Sequence, residues 1–326
     1  MKEIKWGIIG CGNVTELKSG PAFNKVKNSS LVAVMRRDGA KAKDYASRHH
    51  VAKWYDDAMA LINDKDVYAI YIATPPSSHE SYALAAFQAG KPVYVEKPMT
   101  LNYSSALNMV QAADETNMKL CVAHYRRGQP YFNKIKQIID DKIIGEIRFA
   151  NLSFYKKQLS REELELTGNK WRVDAEVSGG GLFHDLAPHQ LDLMYYFFGE
   201  ATYAKGIAIN QSRFYNADDA VAGYILFKNG ILFNGLWSFN VSQEDEKDVC
   251  EIVGSEGSIS FSVFNEQKIF LNKSGKQEII SFTPPQHVQQ PLIEKVVEYF
   301  LDKGPNPSSG SDGAEVMRLL DAFTQP

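Results

Sequence analysis

Three short stretches carry side chains whose types and spacing suit chemistry. The first runs Ser178-Gly179-Gly180-Gly181-Leu182-Phe183-His184-Asp185-Leu186-Ala187-Pro188-His189-Gln190-Leu191-Asp192. Asp185 and His189 stand four apart, so on a helix they share a face, and Asp192 lies three further along it. A carboxylate beside an imidazole can relay a proton to or from a hydroxyl. The glycines ahead of them let backbone approach a ligand or another strand closely. Pro188 fits a first helical turn, which places the helix at about Pro188 to Phe198. The plain structural alternative has Asp185 as an N-cap and His189 as a packed core histidine. His184, Asp185 and His189 do not all share a face, so no metal site is expected. The second stretch is Glu96-Lys97-Pro98, after the apolar run Val93-Tyr94-Val95. A lysine at a strand's carboxyl end can hydrogen-bond a carbonyl or act as an acid. With a reference pKa of about 10.4, base work near neutrality would need a lowered value. Its plain alternative is a surface lysine starting a loop.

The third stretch, Gly10-Cys11-Gly12-Asn13-Val14-Thr15, follows the apolar run Ile4 to Ile9. It matches Gly-x-Gly-x-x, with Thr15 where glycine or alanine is usual. Gly10 permits the tight turn, Gly12 lets the backbone approach a pyrophosphate, and a helix N-terminus aims amides and dipole at the anion. An acid after the second strand would bond the ribose 2′-OH of NAD. Here the residues are Met35-Arg36-Arg37-Asp38. Arginine grips a 2′-phosphate bidentately, so NADP(H) is preferred and NAD(H) possible, with Asp38 as the feature against. Two solvated surface arginines are the alternative. Ala73-Thr74-Pro75-Pro76-Ser77-Ser78-His79 also sits at a strand's carboxyl end, where open α/β sheets bind ligands.

Elements must hold these residues. Near-continuous apolar runs at Ile4–Ile9, Leu31–Met35, Val67–Ala73, Val93–Val95 and Leu120–Ala123 alternate with helical stretches at Ala40–His49, Ser78–Ala89 and Ser104–Thr116. Ser77 and Ser78 are cap candidates, and Gly90 is the expected stop. Strand–helix–strand alternation predicts a parallel sheet with right-handed crossovers. After Ile147 the pattern alternates. Tyr203–Gln211, Ala220–Phe227, Ile231–Phe239, Val249–Val253, Ser258–Val263 and Lys268–Leu271 read as antiparallel strands, with turns at Lys228-Asn229-Gly230 and Lys273-Ser274-Gly275. The polar stretch Arg161 to Lys170 is expected as a loop near a site. Leu292–Leu301 and Ala314–Phe323 read as helices.

Composition bounds the rest. The 326 residues suit about two domains, and 44% hydrophobic with 23% charged residues is globular. Lys+Arg 36 against Asp+Glu 39 leaves no basic excess for a nucleic-acid partner. Cys11, Cys121 and Cys250 form no disulfide framework, and no apolar run spans a membrane or opens a signal peptide, so the cytoplasm is expected.

Gly10-Cys11-Gly12-Asn13, Ala73-Thr74-Pro75-Pro76-x-x-His79, Glu96-Lys97-Pro98, Trp171-Arg172 and Gly179-Gly180-Gly181 through Asp185-x-x-x-His189 together resemble the glucose–fructose oxidoreductase/inositol dehydrogenase (Gfo/Idh/MocA) family. Order and spacing agree over nearly the whole chain, up to Ser311-Asp312-Gly313 before the last helix. The resemblance implies an α/β fold: an NAD(P)-binding Rossmann domain with a parallel sheet over 1–124, and a substrate-binding and oligomerisation domain with an open, mostly antiparallel sheet over 125–326. It implies Lys97, Asp185 and His189 as catalytic residues at the nicotinamide, and a Lys97–Pro98 peptide that is often cis. Cofactor contacts are then expected from Gly10, Gly12, Asn13, Val14, Arg36, Arg37, Thr74, Pro75, Pro76, His79, Glu96, Lys97, Trp171 and Arg172. Substrate contacts are expected from Tyr125, Arg126, Arg172, Asp185 and His189. The implied activity is hydride transfer between nicotinamide and a carbon bearing a hydroxyl or carbonyl on a sugar, cyclitol or related polyol. Anhydro-ketose reduction and dihydrodiol oxidation are candidates. The alternatives are a non-catalytic NAD(P) sensor and a hydrolase that uses bound NAD as a redox shuttle. An open sheet face also implies a homodimer or homotetramer.

Overall fold

The protein is described by a computed structural model, covering residues 2–166 and 170–325, with the Leu166 side chain excepted. The chain divides into two compact units, Met1–Gln129 with Pro285–Glu315, and Pro130–Pro284 with Val316–Pro326.

The first unit is a wholly parallel sheet of β1 (Ile4–Ile9), β2 (Ser29–Met35), β3 (Lys53–Tyr55), β4 (Ala69–Ile72), β5 (Val93–Val95) and β6 (Leu120–Val122). The strand order is β3-β2-β1-β4-β5-β6, and neighbours are parallel throughout. This is the Rossmann order, with its topological switch between β1 and β4. Ile4, Trp6, Ile8, Ala69, Ile70, Tyr71 and Ile72 are fully buried, as a sheet covered on both faces requires. The connections are α1 (Asn13–Leu17), α2 (Gly39–Arg48), α3 (Ala58–Ile62), α4 (His79–Gln88) and α5 (Tyr103–Glu115). Asp38 caps α2 by accepting from Lys41 N at 3.1 Å, and Asn102 caps α5 from Ser105 N at 2.9 Å. The α4 start departs from expectation. Ser78 does not cap with its side chain; its Oγ donates toward Thr74 Oγ1 and Pro75 O instead. Gly90 ends α4 with φ +70, as expected.

The second unit opens on α6 (Pro130–Asp140) and centres on eight strands: β7 (Ile147–Lys157), β8 (Ala201–Ile209), β9 (Ala220–Phe227), β10 (Leu232–Val241), β11 (Lys247–Gly254), β12 (Gly257–Phe261), β13 (Lys268–Lys273) and β14 (Lys276–Ser281). Their order is β14-β13-β12-β11-β7-β10-β9-β8. Pairing is antiparallel except between β7 and β10, which run parallel. Alternation along a strand cannot show that exception, because both pairing modes share the two-residue period. The turns at Asn229-Gly230 and Ser274-Gly275 join β9 to β10 and β13 to β14, as the sequence predicts.

One face of this sheet is core. Leu152, Phe154, Ile225, Phe233, Trp237 and Cys250 are buried there. The opposite face is exposed and partly apolar. Register places Tyr203, Leu226, Leu232 and Phe149 side by side across β8, β9, β10 and β7, and a second row brings Ile207 and Leu236 into line with Val249.

Between β7 and β8 the described residues form three α-helices: α7 (Arg161–Leu166), α8 (Ala175–Ser178) and α9 (Gly181–Phe198). The stretch expected as a loop is thus helical over Arg161–Leu166, and residues 167–169 lie outside the described residues. α9 starts seven residues earlier than the proline suggests, so Pro188 lies inside the helix, not in its first turn. Pro188 has no N–H for the His184 carbonyl. Burial of fifteen residues of α9 outweighs that lost bond. Ring packing of Phe183 against Trp237 (5.2 Å) and a 2.6 Å hydrogen bond from Trp237 Nε1 to Gln190 Oε1 tie the helix to the sheet. Two last helices follow, α10 (Gln290–Phe300) and α11 (Gly310–Thr324). α10 belongs to the first unit, where Leu292, Ile293, Val296, Val297 and Phe300 share the core of Trp6, Phe23 and Tyr94. Among the described residues, no helix is long and apolar enough to cross a membrane.

Candidate active site

In the first unit the candidate residues collect at the carboxyl ends of β1, β2, β4, β5 and β6. The ladder keeps those ends adjacent: Gly10 N and Cys11 N donate to Met35 O, Ala73 N to Ile9 O, Glu96 N to Ile72 O and Ala123 N to Val95 O. Gly10 has φ +95, and a Cβ there would stand 2.8 Å from Thr74 Cγ2 and 2.9 Å from Ala73 O, so only glycine fits. Gly12 is different. Its φ of −141 suits any residue, and an added Cβ would meet only Gly10 O, at 3.8 Å. What glycine provides there is open space above the turn.

Gly12 O accepts from Thr15 N (3.0 Å) and Glu16 N (3.2 Å), so the helical ladder begins at Thr15, leaving the Asn13 and Val14 amides ahead of it. α1 is only five residues long, so an anion placed there would meet these amides more than a helix dipole. Thr15 fits the third glycine position because its hydroxyl turns back to Gly12 O at 2.9 Å. An open turn with leading amides fits a dinucleotide pyrophosphate. Burial pushes the Cys11 thiol up to about 11, which keeps it protonated and unreactive.

Arg36 reaches over this turn, its Nη1 3.4 Å from Cys11 O, while Arg37 is exposed. Asp38 is occupied as the α2 cap and pairs with Lys41 at 3.4 Å. The Lys41 amide, first among its partners, holds the Asp38 carboxyl below its ordinary value.

Behind the β4 and β5 ends lies a buried polar layer. Glu96 accepts from Tyr71 Oη (2.5 Å), Gln289 Nε2 (2.6 Å) and Lys97 N (3.2 Å). Tyr94 Oη reaches Gln289 Oε1 at 3.3 Å. His79 is fully buried, with Nδ1 3.0 Å from Pro98 O and Nε2 2.8 Å from Thr74 O. The Lys97–Pro98 peptide is cis. Lys97 itself is half-buried, with Pro75 also half-buried and Pro76 buried on the neighbouring loop. After β6, Arg126 Nη1 donates to Tyr125 Oη at 2.7 Å, with the guanidinium 4.9 Å over that ring; both residues are buried. Tyr71 and Gln289 escaped the sequence reading. Gln289 lies 193 residues from Glu96, and no local spacing could signal it.

In the second unit, Asp185 and His189 occupy successive turns of one α9 face, both buried. Arg172 Nε lies 3.3 Å from Asp185 Oδ2, and its guanidinium stands 5.5 Å from the Trp171 ring. His189 meets Phe264 edge-on at 5.6 Å. The three glycines set the start of this helix: Gly179, Gly180 and Gly181 have φ of +88, +150 and +80. A Cβ on Gly180 would fall 2.1 Å from His184 Nδ1, and one on Gly181 2.4 Å from the Ala217 Cβ. His184 is also buried, and burial pushes its imidazole down to about 4, so it is neutral near neutral pH.

Known proteins agree with this architecture. Residues 4–124 match the oxidoreductase family with an NAD-binding Rossmann fold, and residues 132–260 match the GFO/IDH/MocA C-terminal domain. The chain is 48% identical to Oxidoreductase P35 of Formosa agariphila over 320 residues, covering 98% of each chain. It is 26% identical to 1,5-anhydro-D-fructose reductase of Ensifer adhaerens over 258 residues, covering 78% of this chain and 74% of that one. The solved structure of levoglucosan dehydrogenase in complex with NADH and levoglucosan superimposes with a TM-score of 0.83 at 21% identity, over 98% of this chain and 96% of that one. With both domain models matched and a near-full-length relative at this identity, the chain belongs to the Gfo/Idh/MocA family of oxidoreductases, whose N-terminal domain is an NAD-binding Rossmann fold.

Proposed function

We propose that this oxidoreductase acts on a CH–OH or carbonyl carbon of a sugar-like polyol, with NADP(H) preferred over NAD(H). The first unit takes the cofactor and the second presents the substrate groups. The observation that carries this reading is the α9 face, where a buried carboxylate paired to Arg172 precedes a buried imidazole by one turn. Bound nicotinamide would supply hydride chemistry at its C4. His189 exchanges the proton with the substrate oxygen, and Asp185, held by Arg172, orients a neighbouring hydroxyl. Lys97 donates to the oxygen and polarises it, or serves as the acid. Gly12, Asn13 and Val14 hold the pyrophosphate, and Thr74, Pro75 and Pro76 line the nicotinamide side. Tyr125 and Arg126 contact substrate. The name of the Ensifer adhaerens relative supports a sugar-type substrate, and an anhydro-ketose is the first to try.

The test is a panel of polyols and keto-sugars with NADPH, NADP+ and their non-phosphorylated forms, followed at the nicotinamide absorbance band. Turnover on a polyol or its keto form is expected. Lys97→Ala and His189→Ala should each lower kcat by about 10²–10⁴, the usual worth of positioned acid–base groups. Full turnover in either variant would overturn its role.

The exposed apolar face of the second unit's sheet supports homo-oligomerisation, because rows such as Tyr203-Leu226-Leu232-Phe149 would otherwise stay in water.

A further inference from the structure

His79 poses a hydrogen-bonding problem that a neutral ring cannot solve. Both ring nitrogens face backbone carbonyl oxygens: Nδ1 lies 3.0 Å from Pro98 O and 3.3 Å from Met99 O, and Nε2 lies 2.8 Å from Thr74 O. A carbonyl oxygen only accepts. A neutral imidazole donates from one nitrogen and carries a lone pair on the other, and imidazolium donates from both. In either neutral tautomer, a lone pair would point at a carbonyl oxygen at hydrogen-bond distance. The ring is fully buried, so no solvent can relieve that clash.

We propose that His79 is a positioning residue held as an imidazolium, which staples the Thr74-Pro75-Pro76 loop to the Lys97-Pro98-Met99 turn. Its counter-charge is Glu96. That carboxylate receives three donors, from Tyr71, Gln289 and the Lys97 amide, as an acceptor-only group does. The Glu96 charge favours the charged ring, and the bonds to Thr74, Pro98 and Met99 act in the same sense. Burial opposes the charge and pulls the imidazole down. So does its place at the first position of α4, where a helix favours anions. Burial is the largest of these effects and on balance leaves the imidazole pulled down, so the charge rests on geometry: each ring nitrogen faces an oxygen that can only accept. The staple joins the two strand-end loops given to the nicotinamide side, so the inference rests on the cofactor reading above.

The experiment uses the full chain with 15N-labelled histidine. Near neutral pH, the imidazole spectrum of the wild type should contain one ring with both nitrogens protonated and both N–H protons slow to exchange. That ring should vanish in His79→Gln. The same variant, with one donor group in place of two, should bind NADPH at least about tenfold more weakly, the equivalent of roughly 1.4 kcal/mol. An unprotonated ring nitrogen on His79 overturns the proposal, and so does unchanged NADPH affinity in the variant. If His79→Gln fails to fold, the wild-type spectrum still decides, since a buried doubly protonated ring stands out among seven histidines. Should the wild type bind neither NADPH nor NADH, the cofactor reading fails while the spectrum still reports the charge of His79.

Discussion

On the proposed reading, cofactor choice turns on Arg36. It follows β2 and leans over the glycine turn to Cys11 O, while Asp38 is engaged as the α2 cap. Arg36→Ala should therefore weaken NADP+ binding by about tenfold or more, the worth of a charge-assisted hydrogen bond, and leave NAD+ binding nearly unchanged. Titration of both cofactors against both proteins checks it. Glu16 gives a second residue-scale expectation. Bidentate Arg48, with His49 also bonded, pushes its carboxyl down to about 2. A folded value below the ordinary one, about 4.3, stabilises above that value and loses the effect as pH falls toward 2. The melting-temperature gap between wild type and Glu16→Gln should be small, because the group is partly exposed, and should close below about pH 4. Residues in short motifs were legible in the sequence: Gly10, Lys97 and the Asp185–His189 pair announce themselves by neighbours within a few positions. Their supports were not. Tyr71 and Gln289 meet Glu96 only through the sheet and a distant helix, and Arg172, named from the sequence, gave no sign of its pairing with Asp185 across α8 and three glycines.

At the scale of elements, long apolar runs and their caps foretold most strands and helices. β3 and α3 did not show, because their three and five residues leave no strand or helix period to emerge. Pro188 misled for a physical reason. A proline costs a helix one bond and a clash, about 3 kcal/mol or more in an interior, and the sequence cannot weigh that against burial along α9. The glycines at its start are the more decisive feature. Gly180→Ala forces a Cβ onto the His184 ring at φ +150 and should destabilise the fold by about 1–3 kcal/mol. Denaturant unfolding of the variant, with an unchanged m-value, measures it. A midpoint equal to wild type would show that α9 starts otherwise.

For the whole molecule, the exposed sheet face sets the expectation. Charges placed in its middle, as in Leu232→Lys with Leu236→Lys, should shift an oligomer toward monomer in size-exclusion light scattering without lowering the melting point of the dissociated chain. An unshifted mass would place the interface elsewhere or leave the chain monomeric. The sequence foretold the class of each sheet. It could not foretell that Pro285–Glu315 would join the first unit, since an amphipathic helix such as α10 advertises an apolar stripe but not its destination.

That destination bears on how the protein is made. Trp6 stacks on Phe300 with ring centroids 5.5 Å apart, and the core of the first unit includes five residues of α10. A ribosome releases the N-terminal strands early, yet the helix that covers them leaves the tunnel only after some 280 further residues have been translated. During that interval the nascent sheet shows Trp6, Phe23 and Tyr94 to solvent or to a chaperone. The earliest-made unit of this protein is thus complete only when the chain is nearly finished, a delay that co-translational folding must survive without aggregation.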